Sequence, residues 1–141
     1  MMTSTEIAEL FCKVICGEAL PEDLEPFVSE EAIWTVLPVE KMEAASVEDT
    51  NHIRFFGPPG IGDLLAFLQG SLEVVSGEMT GCIVKGDITF VFGKITLRTL
   101  VNQMIAATAF SAQLSFRSSK IVICRLKLLW PLFDPAPSSP A

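Results

Sequence analysis

The chain has 141 residues, half of them hydrophobic and 19% charged, which fits one globular domain with a sizeable core and excludes disorder as the default state. A net charge of −7 speaks against nucleic acid as a partner, because phosphate recognition needs clustered cations and the ten bases here are scattered. The charge is also segregated: sixteen of the 17 acids lie at or before Asp87, and residues 88–133 hold no carboxylate at all.

The opening MMTSTEIAEL has neither a basic start nor a continuous apolar run, so no signal or transit peptide is expected. No apolar stretch approaches the roughly 18 residues of a membrane span, and a cytoplasmic protein is the expectation. Thr3, Ser4 and Thr5 offer N-caps to a first helix. Ile7, Leu10, Phe11, Val14 and Ile15 follow helical spacing, and Gly17 closes it. A second, short helix starts near Pro21, with Glu22 and Asp23 at its positive end. Residues 32–37 (AIWTVL) are β-branched and aromatic and predict a short strand ended by Pro38.

Residues 39–51 are polar and acidic and predict a loop, followed by a brief extended piece over 52–56. Gly57-Pro58-Pro59-Gly60 then leads into a third helix reaching about Gln69, with Ile61, Leu64, Leu65 and Leu68 as its apolar stripe. From Leu72 the period shortens to that of strands. Four are predicted, at about 72–84, 87–101, 104–117 and 120–131, joined by short turns that imply an antiparallel meander. The tail over 134–141, DPAPSSPA, is rich in proline and serine and is set apart from a single domain spanning 1–133.

Helices followed by long strands predict an α+β domain with helices on one face of a curved sheet. The segment IAATAF over 105–110 is small or apolar on both faces, which predicts a covered outer face and hence a homodimer through it. Cys12, Cys16, Cys82 and Cys124 are read as reduced thiols. Cys12 and Cys16 share a helix face, but with one histidine and no second cysteine pair, neither a metal site nor any other cofactor is expected.

The layout resembles the nuclear-transport-factor-2-like superfamily, and within it the SnoaL-like group. The residues that carry this are the amphipathic first helix, EEAIWTVLP, RFFGPPGIGDLLAFL, VKGDITFVFG and the final LSFRSSKIVICRLKLLW. The resemblance implies a cone, a strongly curved antiparallel sheet wrapped around N-terminal helices, with an apolar pocket at its wide end. It also implies a small apolar organic ligand and, commonly, dimers. Because isomerases, cyclases, epoxide hydrolases and non-catalytic modules share this fold, the fold alone does not assign an activity.

Several family chemistries lack their residues here. Ketosteroid isomerases place a general-base aspartate before a Pro-Val pair, whereas Leu37 precedes Pro38-Val39. Their oxyanion hole needs a tyrosine and a protonated aspartic acid, but the chain has no tyrosine and Ala112 stands near the aspartate's place. The Arg/Asp pair of the epoxide hydrolases fails as well: Arg98 has no carboxylate partner on strands 88–131. A SnoaL-like cyclase needs chiefly one acid/base, and His52, the only histidine, is the candidate, with Glu48, Asp49 or Asp63 to orient it. The alternative places His52 at a loop-to-helix junction in a capping or exposed role.

Trp34 either walls a pocket, offering its indole N–H, or packs in the core. Phe56, Phe90 and Met104 are candidate lining residues, and Gln113 a polar donor; Arg98 and Arg125 are further donors unless their strands turn them outward. GPPGIG lacks the Lys-Ser/Thr of a phosphate-binding loop. Two functions are therefore open. One is proton transfer on a small molecule by His52 in an apolar pocket; the other is a non-catalytic binding or dimerisation module whose cone is filled by its own side chains.

Overall fold

The computed structural model describes residues 2–38, 53–70, 72–100 and 103–128. Thr3 starts the first helix, α1 (Ser4–Ile15): its hydroxyl oxygen accepts from the Glu6 N–H at 3.1 Å, while the Glu6 carboxylate accepts from the Thr3 N–H at 2.9 Å. This reciprocal capping box satisfies two donors that the first helical turn leaves free. The expected stripe is buried, including Ile7, Phe11, Val14 and Ile15. Pro21 opens α2 (Pro21–Leu24), and a 3-10 turn at Glu25–Phe27 leads into β1 (Val28–Pro38). There follow β2 (Ile53–Phe56), α3 (Gly60–Gln69), β3 (Leu72–Lys85), β4 (Ile88–Thr99), β5 (Ile105–Arg117) and β6 (Lys120–Leu128).

The six strands form one sheet in the order β2-β1-β6-β5-β4-β3. Strands β3 to β6 make the predicted meander. Its tight turns are built on left-handed residues: Gly86 at φ 62° between β3 and β4, and Ser118 and Ser119 at φ 55° and 66° between β5 and β6. The expectation of a wholly antiparallel sheet is corrected at one place, since β1 lies parallel to β6, with Trp34 opposite Cys124 and Val36 opposite Leu126. The pair joins the first strand to the last, with the rest of the fold between them, so no turn in the sequence records it. β1 also starts earlier than the expected residue 32, because a register shift between Val28 and Ile33 breaks its alternation.

Further register shifts occur at Val74/Ser76, Met79/Gly81 and Ser115/Phe116. Each bends its strand and increases the local twist, and the sheet curls around α1 and α3. Its inner face carries Trp34 and Val36 from β1, Val91, Ile95 and Leu97 from β4, Phe110 and Leu114 from β5, and Ile121, Cys124 and Leu126 from β6, all buried. The helices cover this face through Phe11 and Ile15 of α1 and Ile61, Leu64 and Leu68 of α3. The described residues thus share one core and one sheet. The tail over 134–141 and the acidic loop over 39–51 lie outside them. No helix among the described residues is long and apolar enough to cross a membrane.

Candidate functional site

Two places have the chemistry to be a site: the interior of the cone and a groove on the outer face of the sheet. Trp34 organises the first. It is 0% exposed, and its indole N–H donates to the Gly57 carbonyl at 2.8 Å. Its ring stacks on Phe11, with centroids 6.5 Å apart and planes 12° from parallel. Gly57 adopts φ 74°, which favours glycine, and so turns its carbonyl toward the indole. A methyl group added at Gly60 would run into the same indole. GPPGIG is therefore the seat of Trp34 at the start of α3, a role that its lack of phosphate-binding residues left unstated.

Among the described residues, side chains pack closely around Trp34. Deeper along α1 and α3, Ile15, Leu65, Leu68, Ile95, Leu97 and Leu128 leave a space of about 10 Å³, which is room for about one water. Among the described residues, the buried polar side chains are only Thr35, Thr89 and Thr108. The Thr89 hydroxyl is buried without a hydrogen-bond partner, and nothing in the structure explains it. Among the described residues, the buried ionisable groups are thiols. Desolvation pushes Cys124 well above its ordinary value and raises Cys12 to about 12, the latter helped by Cys16 and Cys82 nearby. Such thiols are poor nucleophiles, because the thiolate is the reactive form. No group of three or more histidines, cysteines or acids among the described residues is placed to hold a metal ion.

The ligand-binding candidates do not converge on this interior. Trp34 is in it, but alternation along β4 turns Phe90 and Phe92 away from the buried Val91 and onto the outer face. Gln113 sits opposite Phe90 on that same face. Phe56 is also on it, 63% exposed, and Met104, 37% exposed, follows the β4–β5 connection. Trp34 thus lies on the opposite face of the sheet from Phe56, Phe90 and Gln113. His52 lies outside the described residues.

Arg98 has the carboxylate that strands 88–131 denied it. Glu73 of β3 sits opposite Arg98 and pairs with it at 2.7 Å, on the outer surface. The acid comes from the neighbouring strand, before residue 88, so the acid-free stretch did not reveal it. The outer face also holds a groove of about 270 Å³ lined by Phe90, Phe92, Ser111, Gln113, Arg125 and Lys127. Ser111 and Lys127 were not singled out by the sequence. The available signal was their alternation with Gln113 and Arg125, two residues away on the same strands.

No protein-family model matches the sequence, and no curated protein sequence matches it. Solved structures do match the fold. A ketosteroid isomerase-like protein from Catenulispora acidiphila, crystallised with trimethylamine, superposes with a TM-score of 0.69 at 15% identity, over 98% of this chain and 100% of that one. An NTF2-like protein from Burkholderia thailandensis gives 0.71 at 12% identity, over 94% and 95%. A SnoaL-like polyketide cyclase candidate from Mesorhizobium loti gives 0.60 at 16% identity, over 89% and 98%. The chain has the nuclear-transport-factor-2-like, SnoaL-like α+β fold that these proteins share.

Proposed function

We propose that the chain is a non-catalytic binding and dimerisation module, whose cone is filled by its own side chains. The packed interior carries this reading. Ligand pockets commonly occupy roughly 300 Å³ or more, against about 10 Å³ between Ile15, Leu97 and Leu128. Proton transfer needs an ionisable group within reach of the substrate, and the interior offers thiols held protonated by burial.

Its working surface, in this reading, is the outer face of the sheet, where it pairs with a second copy. Ile105 is 58% exposed there, and Ala107 beside it is exposed too. A reducing compartment such as the cytoplasm suits its four free thiols.

A second reading has one specific observation in its favour, the trimethylamine held by the Catenulispora acidiphila protein. In this second reading a small organic molecule occupies the cone, with His52 as acid/base. Methyl-labelled protein titrated with trimethylamine, and separately with toluene, separates the two. With a filled cone, the methyl resonances of Ile15, Ile95, Leu97 and Leu128 show no saturable change. Saturable shifts at those methyls, accompanied by a displaced titration of the His52 imidazole, would establish the second reading instead.

A further inference from the structure

The groove on β4, β5 and β6 combines cations and aromatic rings in a way that pairing with a second copy leaves unexplained. Strand registers align Arg54, Thr35, Arg125, Gln113, Phe90 and Ile83 in one row across the outer face. The next row holds Lys127, Ser111, Phe92 and Gly81. Among the described residues, neither row contains a carboxylate. On the same face Arg98 pairs with Glu73 at 2.7 Å, and Lys94 stands in register with Glu78. Arg125 and Lys127, two residues apart on β6, therefore present their charge on one side of the groove about 7 Å apart. Phe90 and Phe92 form its opposite side on β4, with Gln113 and Ser111 of β5 between.

This arrangement is complementary to an anion carried on a flat apolar body. A second copy of the same groove would bring like charges together, which is unfavourable in a contact that excludes water. We propose that the groove binds a small aromatic carboxylate. The carboxylate lies between the Arg125 guanidinium and the Lys127 ammonium, with the Gln113 amide and Ser111 hydroxyl as further donors, and the ring packs on Phe90 and Phe92. A guanidinium is suited to this because its planar fork matches a carboxylate with two parallel hydrogen bonds. The volume of about 270 Å³ is on the scale of a small-ligand site.

The proposal rests on the closed-cone reading only in assigning the ligand to the outer face. It is compatible with pairing centred on residues 105–109, since Ala109 and Gln113 are separated by about 13 Å along β5.

The test is amide-resolved NMR on the full chain, titrated with 2-naphthoate and, in parallel, with 2-naphthamide, which keeps the ring and removes the charge. Expected are saturable shifts confined to residues 90–92, 111–113 and 125–127, with the amide binding about tenfold or more weaker than the acid. Arg125→Gln and Lys127→Gln each weaken 2-naphthoate by about tenfold, and Phe92→Ala weakens both probes, with the remaining resonances unmoved. Equal affinity for acid and amide, or no saturable shift in the groove, overturns the proposal. Shifts at the methyls of Ile15, Leu97 and Leu128 overturn it together with the closed cone. If Arg125→Gln halves the mass seen by light scattering and 2-naphthoate does not bind, the groove belongs to the self-contact and the proposal is also lost.

Discussion

Gly57, Gly60 and Trp34 show at single-residue scale how a loop motif sets the character of the interior. The carbonyl of Gly57 gives the indole N–H a partner at 2.8 Å, and Gly60 leaves the space into which the ring fits. A buried N–H is costly to leave unpaired, so the loop and the ring stabilise each other. Trp34→Ala removes a fully buried side chain stacked on Phe11, and is expected to lower unfolding free energy by about 3–5 kcal/mol in urea titrations. Trp34→Phe keeps most of the volume and removes one hydrogen bond, while the Gly57 carbonyl keeps the Gly60 N–H at 2.9 Å, and should cost about 0.5–1.5 kcal/mol. Near-zero change in both would mean that the indole is not the centre of this core. Both readings of Trp34, as pocket wall or as core, put it on an inward face. Whether it walls a void or fills one depends on the summed volumes of side chains from α1, α3 and four strands, which no local pattern contains.

The contact between α1 and β3 is the clearest case at the scale of elements. Cys12 and Cys16 turn toward the sheet from one helix face. Gly77 of β3 gives Cys16 its room, since a side chain there would collide with its sulfur. Burial pushes the Cys16 thiol up to about 11, with Glu18 and Glu78 adding to it, and Cys12 to about 12, from an ordinary value of 9.0. The folded state therefore favours the neutral thiols. Their contribution to stability is complete below the ordinary value and is lost as pH rises through that value toward 11 and 12. Unfolding free energies at about pH 8 and about pH 10 should fall more steeply for the native chain than for a Cys12→Ala, Cys16→Ala double variant. Parallel slopes would remove the thiols as the cause. The helix itself was legible in full, because its cap and its apolar stripe are local. So were the ends of β3 to β6, which the turn residues mark to within a few positions. The parallel pairing of β1 with β6 was not, because its partners lie about ninety residues apart and nothing between them encodes the register.

For the whole molecule, the segregation of charge along the chain becomes a difference between two sides. The helical side carries Glu6, Glu9, Glu22, Asp23 and Asp63, whereas the two rows of the outer sheet face that cross at Gln113 and Ser111 hold no acid. A dimer formed through the sheet would bury exposed apolar groups such as Ile105 and Ala107, while keeping the acidic helices in water, where their charge favours solubility. The small side chains of Ala107, Ala109 and Thr96, neighbours across β4 and β5, would let two such faces approach closely. Light scattering at about 10 µM is expected to give twice the mass of the chain, since self-association is concentration-dependent. Ala107→Glu, whose register partner is the uncharged Thr96, should return the monomer, because it would bury an unpaired carboxylate at the seam. The substitution lies on the face opposite the core, so its far-ultraviolet spectrum should match that of the native chain. A native chain that scatters as a monomer would refute the pairing, and the uncovered apolar strand at 105–109 would then have to be assigned to a different partner.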